Sequence, residues 1–267
     1  MLKNKKSYQW DASQYAQHSG SQYAWGLELI KKLRLTGHET VLDIGCGDGK
    51  LTAIIADHLP QGSVIGIDSS KDMVDLARRR HTDYPHSRLE FEHLDVRELA
   101  ENNRFDLVFS NAALHWIKHH PPVLLRIEKA LKSGGRLLFQ MGGKGNAEQV
   151  IAVLDTLIKQ KWAAYFSEFS FPYGFYGPQT YSQWLVDAGL KVVRVELIEK
   201  DMRHQGKEGF AGWIRSTWLP YLERVPPHTK ELFIDDIVES YLKDRPLDDD
   251  GTVHVRMKRL EVEAVKP

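Results

Sequence analysis

The sequence predicts an α/β fold: a Rossmann-like, seven-stranded, mostly parallel sheet with an antiparallel last strand, helices on both faces, and a helical, aromatic lid. Three observations predict it. Short β-branched and aliphatic runs alternate with stretches of helical spacing from Val41 to about Lys200. A turn with glycines at 45, 47 and 49 joins the first run, Val41 to Ile44, to the helical segment LTAIIADHL. The last segment, VHVRMKRLEVEAV, alternates and is entered from the acidic turn Asp248 to Gly251, as suits an antiparallel edge strand.

Residues 1–9 are charged and are expected to fray. From Asp11 onward Tyr15, Ser19, Gln22, Gly26, Leu29, Ile30 and Leu33 recur at helical spacing, so a helix should precede the glycine turn and lie over it. Gln22 and Tyr15 are polar on that apolar face. They either reach a ligand or satisfy buried backbone groups.

The glycine turn suits positive φ and bare backbone against a ligand, with the following helix presenting its N-terminus. It is not the dinucleotide fingerprint, because Gly49 follows Gly47 by two positions and Asp43 precedes the first glycine. SVIGID then reads as a second strand ending in Asp68, 23 positions after Gly45. An acid at about that offset accepts from ribose hydroxyls; the plain alternative is a cap for the next helix.

LEFEHLDV, the third strand, ends in Asp95-Val96, where Asp95 either meets a ligand or caps the short turn after it. FDLVFS is the buried fourth strand. Asn111, His115 and Trp116 follow at its carboxyl end, where open α/β sheets bind ligands. Ile127 to Gly143 gives a helix, a Gly-Gly turn and a fifth strand.

A helix from Ala147 to about Trp162 leads into the aromatic stretch 165–181, broken by Pro172, Gly174, Gly177 and Pro178, which is either a lid or packing of a connection on the sheet. YSQWLVDAGL is a helix ending at Gly189, and KVVRVELIEK a sixth strand. Residues 208–245 should hold two helices, the first carrying Arg215. The apolar phase of the seventh strand shifts between Met257 and Leu260, which suggests a bulge.

The chain of 267 residues is long enough for one large domain with a lid. We divide it into an N-terminal helical cap over the ligand site (1–34), a ligand-binding core (35–145), and lid and acceptor-site helices with the last two strands of the same sheet (146–267). Lys plus Arg and Asp plus Glu both number 36, so no global field favours nucleic acid or an anionic membrane. A small acceptor molecule fits better, on a monomer or weak dimer. Cys46 is the only cysteine, which excludes internal disulfides and Cys-based zinc. With no run of ~18 apolar residues and no signal peptide, a cytoplasmic protein is expected. HExxH and GxSxG are absent, so neither a metal site nor a covalent hydrolase is expected.

Asp43-x-Gly45-x-Gly47-x-Gly49, Asp68, Asp95 and Asn111 in this order resemble the class I S-adenosylmethionine-dependent methyltransferases over roughly residues 35–200. YAQHSGSQ, IGCGDG, ALHWI and FYGPQTYSQWLVDAGLKVVRVEL are further similar to the small-molecule carboxyl methyltransferases, the trans-aconitate and juvenile hormone acid methyltransferase group. The resemblance implies S-adenosylmethionine as cofactor and S-adenosylhomocysteine as product. It implies cofactor contacts from Tyr15, Asp43, Gly45, Cys46, Gly47, Asp68, Ser69, Met73, Asp95, Val96, Asn111 and Ala112. Gln22 and Trp116 match residues linked to the meeting point of cofactor and acceptor; His115 is the reserve base, and Arg215 a candidate to orient a carboxylate. Similarity fades over residues 201–250. The implied reaction is O-methylation of a carboxylate; the alternatives are C- or O-methylation of a lipid, a quinone or an acyl-carrier-protein-bound acid, an NAD-type oxidoreductase, or an idle cofactor-binding protein.

Overall fold

The period-2 alternation of a strand sends neighbouring side chains to opposite faces, and two cores result. On β1 (Thr40–Ile44) Val41 joins one cluster while Leu42 and Ile44 join another; on β5 (Leu131–Gly142) Leu138 goes to the first and Leu137 and Phe139 to the second. The computed structural model describes residues 20–85 and 88–267. With β2 (Ser63–Asp68), β3 (Leu89–His93), β4 (Phe105–Asn111), β6 (Lys191–Gln205) and β7 (Thr252–Val265) these strands form one sheet in the order β3-β2-β1-β4-β5-β7-β6. The first five are parallel, and β7 is antiparallel to both β5 and β6.

Helices cover both faces. α1 (Gly20–Ile30), α2 (Lys50–Asp57) and α3 (Lys71–Arg80) supply Leu29, Ile55 and Val74 to the first core. α4 (Pro121–Ala130) and α6 (Pro178–Asp187) supply Leu124, Ile127, Tyr181 and Leu185 to the second. A third cluster gathers α5 (Glu148–Leu157), α7 (Gly206–Thr217), the single turn α8 (Leu219–Leu222) and α9 (Lys230–Asp244) around Trp213, Phe210, Phe233 and Tyr241, with Trp25 of α1.

Two expectations about the last strands change. β7 is not the edge: it sits between β5 and β6, and β6 is the outer strand. Nor does β7 carry a bulge between Met257 and Leu260, since its pairing to β6 is continuous there; the irregularity lies in β6 between Val192 and Arg194. The apolar phase shifts because the strand changes partners along its length. Val253, Val255 and Met257 pack on the lid cluster, whereas Leu260, Val262 and Ala264 face the opposite core. Residues 208–245 hold three helices, not two, because α7 stops at Trp218 and Pro226-Pro227 starts a new turn before α9.

Glu261 is a buried acid in the middle of β7. It accepts from Lys32 Nζ at 2.7 Å and from Arg194, and Gln140 Nε2 lies 3.3 Å away. Burial pushes its carboxyl up, but these cations outweigh burial and hold it below the usual value. A depressed carboxyl contributes stability that is present above its unfolded pKa and lost as pH falls. Glu261→Gln should therefore cost about 2 kcal/mol at neutral pH, and the deficit should shrink as the solution is acidified through about pH 4.5, read by urea melts at several pH values.

Candidate functional site at the carboxyl ends of the strands

The first strand ends in a turn that only glycine suits. Gly45 and Gly47 have φ of 73° and 55°. A Cβ on Gly45 would sit 2.1 Å from the Ala113 Cβ, while Gly47 opens onto free space. The N–H groups of Gly45 and Cys46 donate to Ile67 O at 2.7 and 3.1 Å, which ties the turn to β2. Asp68, at the end of β2, locks it from the other side: Oδ2 accepts from Gly47 N at 3.0 Å and Oδ1 from Ser70 N at 2.8 Å. Ser70 then caps α3 through Met73 N.

Beside this turn lies a cavity of about 600 Å³, at the carboxyl ends of β1, β2 and β4 where the strand order reverses. Of the predicted residues it brings together Gly45, Gly47, Asp68, Ser69, Met73, Asp95, Val96, Asn111, Ala112 and Trp116. Ala112 adopts φ 57°, a costly conformation for a residue with a Cβ, held by its N–H donating to Gln140 O at 2.7 Å.

The cavity's polar groups are mostly acceptors. A carboxylate offers about four lone-pair sites and Asp68 has filled two, so it can still accept from a diol. Burial, first, raises its pKa, and the Ser70 and Gly47 N–H groups oppose the rise. The Asp95 carboxylate caps the turn by accepting from Arg97 N at 2.9 Å and holds the Arg97 guanidinium, and Asp95 is also among the residues lining the cavity. Asn111 donates through Nδ2 to Gln22 O at 3.0 Å, fastening α1 to β4. Its Oδ1 and the Oε1 of Gln22 are buried with no hydrogen-bond partner among the described residues. A ligand bearing an ammonium or hydroxyl donor would satisfy them.

Other predicted residues stand elsewhere. Asp43 is buried behind the turn and accepts from Thr52 Oγ1 at 2.6 Å. The Cys46 side chain turns into the core beneath α2 and is absent from the cavity wall, because its neighbours Gly45 and Gly47 take the exposed side of the turn. Burial, with the nearby carboxylates, drives its thiol pKa well up. His115 is buried among Trp116, Tyr173 and Phe175 and is likewise not in the wall. Burial, then the Arg259 cation, pushes its pKa well below the normal value, so it is a neutral and feeble base. Arg215 is spent on Glu231 and Glu208, joining α7 to α9, and does not reach the cavity. Tyr15 lies outside the described residues.

The 165–181 stretch packs on the neighbouring helices and loops, and none of its residues lines the cavity. Tyr173 and Phe175 stack at 5.3 Å, Tyr173 meets Trp116 at 5.1 Å, and its hydroxyl donates to Thr217 O. Sequence reasoning missed Ser70, His93 and Arg97 as lining residues. His93 ends β3, so the strand-end rule could have found it; Arg97 carried no signal beyond its neighbour Asp95.

The family model described as a methyltransferase domain matches residues 35–189. The chain is 31% identical to the trans-aconitate 2-methyltransferase of Mycolicibacterium gilvum, over 94% of this chain and 95% of that protein. It is 32% identical to the trans-aconitate 2-methyltransferase of Deinococcus radiodurans, over 85% of this chain and 87% of that one. Its fold resembles the phosphoethanolamine N-methyltransferase 2 of Haemonchus contortus solved with S-adenosyl-L-methionine, at a TM-score of 0.60 and 21% identity, covering 96% of this chain and 56% of that one.

Asp43 has a direct consequence for stability. Burial, opposed by the Thr52 hydroxyl, lifts its pKa from 3.8 to about 7. The folded state then holds a proton that the unfolded state has lost, so stability falls as pH rises between those two values. Three pKa units at about 1.4 kcal/mol each make a loss of up to about 4 kcal/mol. Asp43→Asn keeps an acceptor for Thr52 and removes the ionisation, so its stability relative to the wild type should grow from about pH 4 to about pH 8 in denaturant titrations.

Proposed function

This chain belongs to the methyltransferase-domain family, and we propose that it transfers a methyl group from S-adenosylmethionine to a carboxylate oxygen of a small acid. The observation that carries the reading is the cavity itself: bare glycine backbone at one wall, Asp68 and Asp95 at successive strand ends, and an orphaned acceptor in the wall, Asn111 Oδ1, next to Gln22 of α1, whose own Oε1 is orphaned but which is not among the lining residues. These fit the cofactor group by group. Asp68 would accept from the ribose diol, Asp95 from the adenine amine, and Asn111 and Gln22 from the ammonium of the methionine part. Gly47 gives the close approach that a side chain would block. The relatives' name supports a carboxylate acceptor.

S-adenosylmethionine, when bound, supplies an electrophilic methyl whose C–S electron pair stays on sulfur as the new C–O bond forms. A carboxylate is already ionised near neutral pH, so no proton has to move and no base is needed. That agrees with a buried, neutral His115. What remains for the chain is alignment and dehydration, and alignment can contribute up to about 7–11 kcal/mol in favourable intramolecular cases. Trp116, in the cavity wall and packed on the lid cluster, is placed to wall off water where the two ligands meet. Gln22 is tied to Asn111 of the wall through its backbone carbonyl, which accepts from Asn111 Nδ2.

Transfer of a labelled methyl group to a panel of small carboxylic acids tests the reaction. Ester product is expected; methylation of only a thioester, quinone or lipid would redirect it. Asp68→Ala should weaken S-adenosylhomocysteine binding at least about tenfold by calorimetry. Tight NADH binding with none for S-adenosylhomocysteine would remove the cofactor assignment altogether.

A further inference from the structure

Past the end of β5, β6 and β7 run on as a two-stranded ribbon, residues 200–205 against 252–257. The register sets Asp201 opposite Arg256 and Arg203 opposite His254, and directly opposed side chains share a face. The other face, with Met202, Val253 and Val255, packs into the lid cluster. Asp201, His254 and Arg256 border a second cavity, of about 520 Å³, together with Gln149 of α5 and with Arg245 and Pro246 just after α9. It shares no lining residue with the cavity at the glycine turn.

Most of the charges in this wall are already matched. Lys200 pairs with Glu28 of α1. His254 lies between Asp201 and Asp248, at 2.8 and 2.9 Å from their carboxylate oxygens, and Asp201 also holds Arg203. Three charges are not matched: Arg245, Arg256 and Glu199 form no ion pair among the described residues, which leaves one positive charge in excess.

Arg245 is nevertheless held in place, because its guanidinium stands 5.2 Å over the ring of the fully buried Tyr241. The Tyr241 hydroxyl donates to His254 O at 2.7 Å and lies 3.2 Å from Gln149 Oε1. One tyrosine thus fixes a point on α5, one on β7 and one at the end of α9. The amide nitrogen of Gln149 has no partner among the described residues.

A concave wall with a fixed excess of cation concentrates anions, and the guanidinium fork matches a carboxylate or phosphate. We propose that this pocket is an oxyanion site, separate from the methyl-transfer cavity, that takes a small molecule through one phosphate or carboxylate group held by Arg245, Arg256 and the Gln149 amide. The single excess charge suits one such group, and Glu199 and Asp201 in the same wall repel a polyphosphate. A bound anion ties the end of α9 to the β6–β7 ribbon, so occupancy stabilises the fold by mass action.

Inorganic phosphate and acetate, titrated calorimetrically at constant ionic strength into the intact protein with and without S-adenosylhomocysteine, test the site. Saturable binding of at least one of the two anions is expected, equal in both conditions and accompanied by a rise in melting temperature. Arg245→Gln and Arg256→Gln should each weaken that binding about tenfold, and Arg256→Lys should recover part of the loss. Glu199→Gln should tighten it about two- to threefold by removing a repelling charge. Affinity for S-adenosylhomocysteine should be unchanged in all four variants, since none of these side chains lines the other cavity.

Failure of both anions to saturate up to about 0.1 M, where screening of surface charge takes over, overturns the site. Saturable binding that Arg245→Gln and Arg256→Gln leave unchanged overturns it too. So does displacement of the anion by S-adenosylhomocysteine, which would put the anion in the glycine-turn cavity. Should Arg245→Gln fail to fold, the variants at the exposed Arg256 and Glu199 carry the decision.

Discussion

The carboxylate of Asp68, accepting one N–H from the glycine turn and one from the start of α3, is the constraint on which the rest of the site depends. Its bond to the Gly47 N–H ties the second glycine of the turn to the end of β2, beside the Gly45 and Cys46 bonds to Ile67 O. With it, β1, β2 and α3 share one anchor, and the glycine backbone stays exposed at the reversal of strand order. The steric limit at Gly45, where a Cβ would overlap Ala113, shows how closely the fourth-strand loop is drawn over the same turn.

β7 extends this local geometry to the whole molecule. One half of the strand faces the core beneath α4 and α6, and the other half faces the lid cluster, so a single strand joins the parallel sheet to the helices of residues 206–244. Tyr173 and Phe175 pack at that junction, and Tyr173 meets Trp116, which lines the cavity. The buried acid Glu261 lies in the same strand and links α1's extension at Lys32 to the edge strand through Arg194.

Although the chain is neutral in total, its buried polar groups are sorted. Acceptors collect in the cavity: the Asp68 and Asp95 carboxylates and the amide oxygen of Asn111. His115, buried behind Trp116 and outside the wall, is held neutral and adds no charge there.

How much of this was legible in the sequence depends on how local the cause was. Strand-turn-helix at residues 41–57, the acids ending β2 and closing the β3 loop, and the parallel order of the first five strands follow from periodicity and glycine spacing, which act within a few residues. Asp43, Cys46 and His115 read the same way as their neighbours in one dimension, yet the turn sends the first two into the core and the aromatic packing buries the third. Arg215 is diverted by an ion pair to Glu231 on another helix. The apolar phase of β7 was visible, but its meaning was not, because a bulge and a change of packing partner leave the same pattern in a strand. Arg259 carried no signal at all: only the register of β7 against β5, and the arrival of Trp25 from the other end of the chain, bury this cation against the α1 indole. Local backbone chemistry belongs to the sequence; which side chains meet across more than two hundred residues is decided by the closing of the sheet.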